Sequence, residues 1–188
     1  VRGTKKILLI LGISGSGKST IETYLRELGV PSMISHTTRS LRQGEIPNKS
    51  YYYITKNQFD KLDKLEQTEY SGNFYCLSRE ELDRHEEDIV CAVVDYEGAV
   101  QIRDAYGEDN CVIVCLHIDY QTMEERLKMR GDSIDEIKKR INYAKDTNEA
   151  KKNYEIADFT IQNNKLEQTK QLIEYIVKGM KNEEEIIF

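Results

Sequence analysis

The sequence predicts an α/β fold: a parallel β-sheet core flanked by helices, with a small inserted lobe of mixed, mainly antiparallel strands and short helices, and a charged helical arm. Three observations lead there. Three apolar, β-branched runs, 7–11, 89–94 and 111–116, are continuous rather than alternating, as strands buried on both faces require. Helical stripes separate or follow them. Between the first and second run, one long stretch breaks that rhythm with aromatic and polar segments. At roughly 100–200 residues per domain, 188 residues make one domain.

Taken in order, the first strand is followed by a helix over 19–28, with Ile21, Leu25 and Leu28 on one face. Residues 34–88 form the inserted lobe, in which Tyr51-Tyr52-Tyr53-Ile54 and Gly72-Asn73-Phe74-Tyr75 read as antiparallel strands around turns. Thr55-x-x-Gln58, Ser78-x-x-Glu81 and Ser133-x-x-Glu136 are capping-box signals for three helix starts. Residues 126–152, dense in charge with little continuous apolar face, predict an exposed helical arm over an opening. Near the end, Leu166, Leu172, Ile173, Ile176 and Val177 share a helical stripe, and 181–185 is a charged, fraying tail. The core is therefore 1–33, 89–125 and 153–188.

Composition narrows the classes of function. Apolar residues are 39% and charged residues 32%, which excludes a disordered polyelectrolyte and a membrane protein. Lys and Arg number 27 against 33 Asp and Glu, and the net charge of −6 argues against a surface built for nucleic acid or anionic lipid. Cys76, Cys91, Cys111 and Cys115 have no Cys-x-x-Cys spacing and read as reduced thiols, three of them in buried strands, in a cytoplasmic setting. The apolar opening at 7–11 runs into a glycine-rich loop rather than a cleavage site, so no export signal is expected. No apolar run approaches the ~20 residues needed to cross a bilayer.

Chemistry enters with Gly12-Ile13-Ser14-Gly15-Ser16-Gly17-Lys18-Ser19, which matches G-x-x-x-x-G-K-[ST] between a buried strand and an amphipathic helix. Glycines let successive backbone N–H groups face inward, and the helix N-terminus adds partial positive charge, so phosphate oxygens are cradled. Lys18 would reach the β- and γ-phosphates of a nucleoside triphosphate, and the Ser19 hydroxyl would ligate Mg²⁺. Thr20 completes the set of residues placed on the triphosphate, with a hydroxyl that reads as structural rather than as a metal ligand.

The acceptor must be sought elsewhere. Ser35-His36-Thr37-Thr38-Arg39 followed by Arg42 and Gly44-Glu45 supplies two planar guanidinium forks suited to a phosphomonoester, beside Tyr51 and Tyr75. On the two arginines alone, a solvated basic turn would be the better reading. With Ser71-Gly72-Asn73-Phe74-Tyr75, Asp95-Tyr96-Glu97-Gly98 and Arg126-Leu127-x-x-Arg130-Gly131 in the same order, the sequence resembles guanylate kinases over nearly its whole length. That resemblance implies a P-loop core with a nucleoside-monophosphate lobe and a mobile lid, using ATP and GMP to give ADP and GDP. At matching positions it implies that Arg39, Arg42, Tyr51 and Tyr75 hold the GMP phosphate, with Ser35, Glu66 and Asp95 also on GMP. Glu66 suits guanine because a carboxylate accepts from neighbouring N1–H and N2–H₂ donors, a pair that adenine lacks. Lys18, Arg39, Arg126, Arg130 and Arg140 would act on the transferring phosphoryl group, and Asp95 could approach Mg²⁺ through water.

The chain departs from the family pattern at three points. Val93 stands where the family's first acid would precede Asp95, Cys76-Leu77 replaces glycine and a hydroxyl residue after Tyr75, and the stretch from Arg130 to Arg140 is about one residue short. Two alternatives therefore stand beside a GMP kinase: a related kinase for another nucleoside monophosphate or a phosphorylated sugar, and a non-catalytic interaction module. His36, His85 and His117 carry no catalytic expectation.

Overall fold

β1 (Lys6–Leu11) is apolar on both sides, and residues 7 to 11 have no exposed surface, so this strand must lie inside a sheet covered on both faces. The computed structural model describes residues 5–41, 44–70 and 72–182. From β1 the chain turns into α1 (Lys18–Glu27), then builds β2 (His36–Thr37), β3 (Tyr52–Tyr53), α2 (Lys56–Asp60), β4 (Lys64–Tyr70), β5 (Asn73–Ser78) and α3 (Arg79–Arg84). It returns through β6 (Ile89–Val93), α4 (Tyr96–Tyr106), β7 (Cys111–His117), α5 (Tyr120–Arg130), α6 (Ile134–Asp146), α7 (Glu149–Ile156), β8 (Phe159–Gln162) and α8 (Leu166–Asn182).

The first sheet is parallel, in the order β6-β1-β7-β8. Leu8, Ile10, Ile21, Leu25, Val114 and Ile173 pack on one face of it, while Ile7, Leu9, Ala99, Ile102 and Ile113 pack on the other. Both ends of β1 therefore have fixed positions, and the loop leaving Leu11 emerges at the carboxyl edge of the sheet, where open α/β sheets bind ligands. The second sheet has the order β3-β2-β5-β4. The β4–β5 and β2–β5 pairs are antiparallel as expected, but β2 pairs with β3 in parallel. Fourteen intervening positions let the chain cross back before pairing, which a hairpin cannot do.

All three predicted caps start helices. Thr55 and Ser133 form complete capping boxes. Ser78 accepts the Glu81 N–H, but the Glu81 carboxylate turns instead to the Ile34 N–H at 3.0 Å and the Tyr52 hydroxyl at 3.1 Å, tying α3 to the start of the second sheet.

Three expectations need correction. The α8 stripe consists of Ile173, Ile176, Val177 and Met180, whereas Leu166 and Leu172 are exposed, because Leu172 lies about 100° around the helix from Ile173. The charged arm has an apolar face after all: Ile137 and Ala144 of α6 pack with Ile13, Ile118, Met123 and Leu127. Ile137 and Ala144 are seven apart, with the partly buried Ile141 between them and charged residues around them, so they form a narrow seam rather than a continuous run. Finally, a fourth core strand, β8, exists where none was expected. The charged tail beyond position 182 and Arg42 lie outside the described residues.

Candidate active site

The phosphate loop starts where β1 runs out. A Cβ on Gly12 would stand 2.4 Å from Ser16 Oγ and 2.6 Å from the Leu116 carbonyl, so no side chain fits there. Gly17 holds a left-handed φ of 98° immediately before α1, and a Cβ on it would meet Asn163 Nδ2 at 2.4 Å. Ser14 and Gly15 are half-buried, Ser16 is buried, and Ser19 and Thr20 are exposed on the first turn of α1. The Lys18 ammonium donates to the carbonyls of Gly12, at 2.5 Å, and Ile13, at 3.1 Å, so it closes the loop upon itself. Burial lowers the Lys18 pKa, and the nearby Glu149 carboxylate opposes that shift. The Glu149 carboxyl, on the first residue of α7, is itself raised by burial, lowered by Lys18 and raised by Asp95, so Glu149 lies within electrostatic range of both.

A cleft of about 460 Å³ lies between α1 and the segments leading into β2 and β3, and Ser19, Ser35, Tyr51 and Val93 all line it. Arg39, next to the Tyr51 that lines the cleft, is only 9% exposed. Its guanidinium forms a two-bond fork with Glu45, at 2.9 and 2.7 Å, and donates to the Ser40 carbonyl. It stands 5.3 Å from the Tyr51 ring centre and 5.9 Å from that of Tyr53, within cation–π range of both. Tyr75 meets Tyr51 edge to face at 6.0 Å, and the Tyr53 hydroxyl donates to Glu45. Glu45 and Tyr75 together hold Arg39 more firmly protonated than usual. Its Nε is buried with no acceptor among the described residues.

Glu66 does not behave as a surface acid; it is 6% exposed. A register shift between Lys64 and Glu66 precedes it, and its Oε1 accepts the Leu77 N–H at 2.8 Å. Burial first, and then the Asp95 charge, push its carboxyl up to about 8. Asp95 caps α4, its Oδ1 accepting the Gly98 N–H at 2.8 Å. Leu77 presents no side chain to a ligand: it is wholly buried in the core with Leu65 and Leu82.

Two of the three arginines of the arm touch the loop, and the third shares a carboxylate with one of them. Arg126 donates to the carbonyls of Gly15, at 3.2 Å, and Asn163, at 2.6 Å. Arg130 forks onto Asp132, and Arg140 donates to the Ser14 hydroxyl at 3.2 Å while standing 3.5 Å from Asp132. Sequence reasoning assigned no part to Glu45, Glu149 or Asn163. Glu45 had a local signal, an acid in the matched Gly44-Glu45 just after two arginines. The other two had none, since each is brought in by contacts more than a hundred residues away.

With this geometry in place, comparison with known proteins is informative. The guanylate kinase family profile matches residues 4–179. A guanylate kinase of Trichodesmium erythraeum is 34% identical over 183 residues, covering 93% of this chain and 96% of its own. One from Trichormus variabilis is 31% identical, covering 93% and 90%. The crystal structure of guanylate kinase from Anaplasma phagocytophilum, 22% identical, superposes with a TM-score of 0.67 over 99% of this chain and 90% of that one, which supports the fold. A profile spanning nearly the whole sequence and relatives above 30% identity end to end place this chain in the guanylate kinase family.

Proposed function

We propose that this chain transfers a phosphoryl group from ATP to GMP, and to dGMP, giving the nucleoside diphosphate. The observation that carries the reading is one cleft bordered by Ser19, the last residue of the phosphate motif and part of the first turn of α1, and by Ser35 and Tyr51, which adjoin β2 and β3. Two anion sites across one narrow gap are what a direct in-line transfer needs.

In this reading the backbone of Gly12, Ser14, Gly15, Ser16 and Gly17, with Lys18, Ser19 and Thr20, holds ATP. Lys18 exchanges its two loop carbonyls for phosphate oxygens. Arg39, Arg42, Tyr51 and Tyr75 take the GMP phosphate, the Arg39 guanidinium supplying a planar set of charged N–H donors. Ser35, Glu66 and Asp95 face the base and sugar side. Arg126, Arg130 and Arg140 belong to a lid over 126–152 that excludes water and places positive charge on the migrating group, while 34–88 forms the GMP lobe. No general base is required, because the acceptor is already an anionic phosphate.

The residues present suit Mg²⁺. Ser19 and Asp95 are exposed oxygen donors, and Asp95 has one oxygen not used by its cap, in keeping with an ion that retains most of its waters. When bound, it would neutralise charge on the donor phosphates. No helix among the described residues is long and apolar enough to cross a membrane, and the four cysteines are buried and unpaired, in accord with a cytoplasmic location.

The test is an ADP-release assay with GMP, dGMP, AMP, UMP and ribose phosphates as acceptors, alongside Lys18→Ala. GMP should be the preferred acceptor, and Lys18→Ala should lose Mg·ATP-dependent turnover. GMP as the poorest acceptor, or full activity of the variant, would overturn the reading.

A further inference from the structure

The connection from β8 to α8 and the first turn of α8 each carry one polar side chain that the reaction does not call upon. Asn163 is 3% exposed and Thr169 1% exposed, far too buried to be chance surface residues. Asn163 Nδ2 donates to the Ser16 carbonyl at 2.7 Å, across 147 positions of sequence. Its Oδ1 accepts the Thr169 hydroxyl proton at 2.7 Å, which fixes which way the amide faces. The main-chain N–H of Asn163 donates to the His117 carbonyl at 2.9 Å, anchoring the residue to the end of β7.

We propose that Asn163, oriented by Thr169, is a positioning residue that aims the Ser16–Gly17 peptide of the phosphate loop at the donor nucleotide. The argument is geometric. In a planar trans peptide the C=O and N–H point in opposite directions. Pinning the Ser16 carbonyl outward onto Asn163 therefore turns the Gly17 N–H inward, toward the phosphates. Gly17 makes room for this: any side chain there would occupy the place of Asn163 Nδ2, in addition to facing a left-handed φ. The same residue also meets the arm, since its own carbonyl accepts the Arg126 Nη2 proton at 2.6 Å while Arg126 Nη1 donates to Gly15. One asparagine thus holds the outer side of the loop through its side chain and the arginine over the loop through its backbone.

The proposal rests on the phosphate loop being the ATP side, and its test is separable from that reading. Titrating Mg·ADP and GMP independently by calorimetry, Thr169→Val should weaken Mg·ADP about tenfold, equivalent to about 1.4 kcal/mol, and leave GMP within twofold. Valine keeps the shape and removes the hydroxyl, so the Asn163 amide loses its orientation. Thr169→Ser restores the hydroxyl and should restore Mg·ADP affinity to within twofold. In turnover, the effect of Thr169→Val should fall on KM for ATP, with KM for GMP unchanged.

Unchanged Mg·ADP affinity in Thr169→Val overturns the proposal, as does equal weakening of both nucleotides, or a serine variant as poor as the valine one. If Thr169→Val does not fold, the side-chain amide protons of Asn163 in the unaltered chain decide the matter. They should exchange slowly with solvent, and fast exchange would refute the bond to Ser16. Failure of the underlying reading looks different: Lys18→Ala would then leave Mg·ADP binding intact.

Discussion

Glu66 on β4 and Asp95 at the cap of α4 converge on Gly98: a Cβ there would stand 3.2 Å from an oxygen of each. A strand carboxylate and a helix-cap carboxylate thus border one helix turn, with the Leu77 and Gly98 N–H groups as their hydrogen-bond donors. The burial of Glu66 and its acidic neighbour explain why its carboxyl is pushed up to about 8.

A pH dependence follows. Guanine offers two donors, so the ionised form of Glu66 is the one that binds it. In the free protein that form is scarce below about pH 8. The KM for GMP should therefore fall as pH rises from 6 to 8 and level off above it. GMP binding at pH 7 should release a proton, measurable by calorimetry in two buffers of different ionisation enthalpy. The contribution to stability has the opposite sense: a pKa raised in the folded state means that the native protein binds more protons, so this group's contribution is lost as pH climbs from the ordinary carboxylate range through about 8. Glu66→Gln, which presents one donor and one acceptor, should weaken GMP by about 10- to 100-fold and abolish the proton release.

Gly98→Ala separates stability from function. An alanine within a helix gains about 1 kcal/mol over glycine, whereas contacts of 3.2 Å require each carboxylate to yield by a few tenths of an ångström. The melting temperature should be unchanged or slightly raised, while KM for GMP rises severalfold and KM for ATP does not. A parallel rise in both would show that Gly98 serves the fold alone.

Arg39→Lys tests the phosphate pocket. Lysine keeps the charge but loses the fork onto Glu45 and the planar contact with Tyr51 and Tyr53. The kcat/KM for GMP should fall by about 10²- to 10³-fold, or about 3–4 kcal/mol, with Mg·ADP affinity unchanged. A loss below tenfold would remove Arg39 from the acceptor site.

Much of this was legible in the sequence for reasons that can be located. The runs at β1, β6 and β7 are read easily because a strand covered on both faces can be only continuous and apolar. β8 escaped because Phe159–Gln162 is a four-residue edge strand with only Ile161 fully buried, too short for a period-2 pattern to stand out. The phosphate loop is local, so its eight residues announce it. Asn163 and Glu149 act across the whole chain, and nothing beside them in sequence marks the place. Asp132, which gathers Arg130 and Arg140, is legible only once the helices on either side of it are folded.

Leu77 shows how a local comparison can mislead. It stands where the family places a hydroxyl residue, so the sequence alone reads as the loss of a contact to the base. In the fold, its side chain is fully buried with Leu65 and Leu82, and it is its backbone N–H that matters, holding Glu66 Oε1. Leu77→Thr should then cost about 2–4 kcal/mol of stability, from lost apolar burial and a hydroxyl with no partner in the core. The Glu66 contact should survive, because the backbone is unchanged, and KM for GMP should stay within twofold at temperatures where the variant is folded. Thermal unfolding and GMP titration of the same preparation check both halves. A threonine variant that gained GMP affinity without losing stability would mean that position 77 faces the base rather than the core.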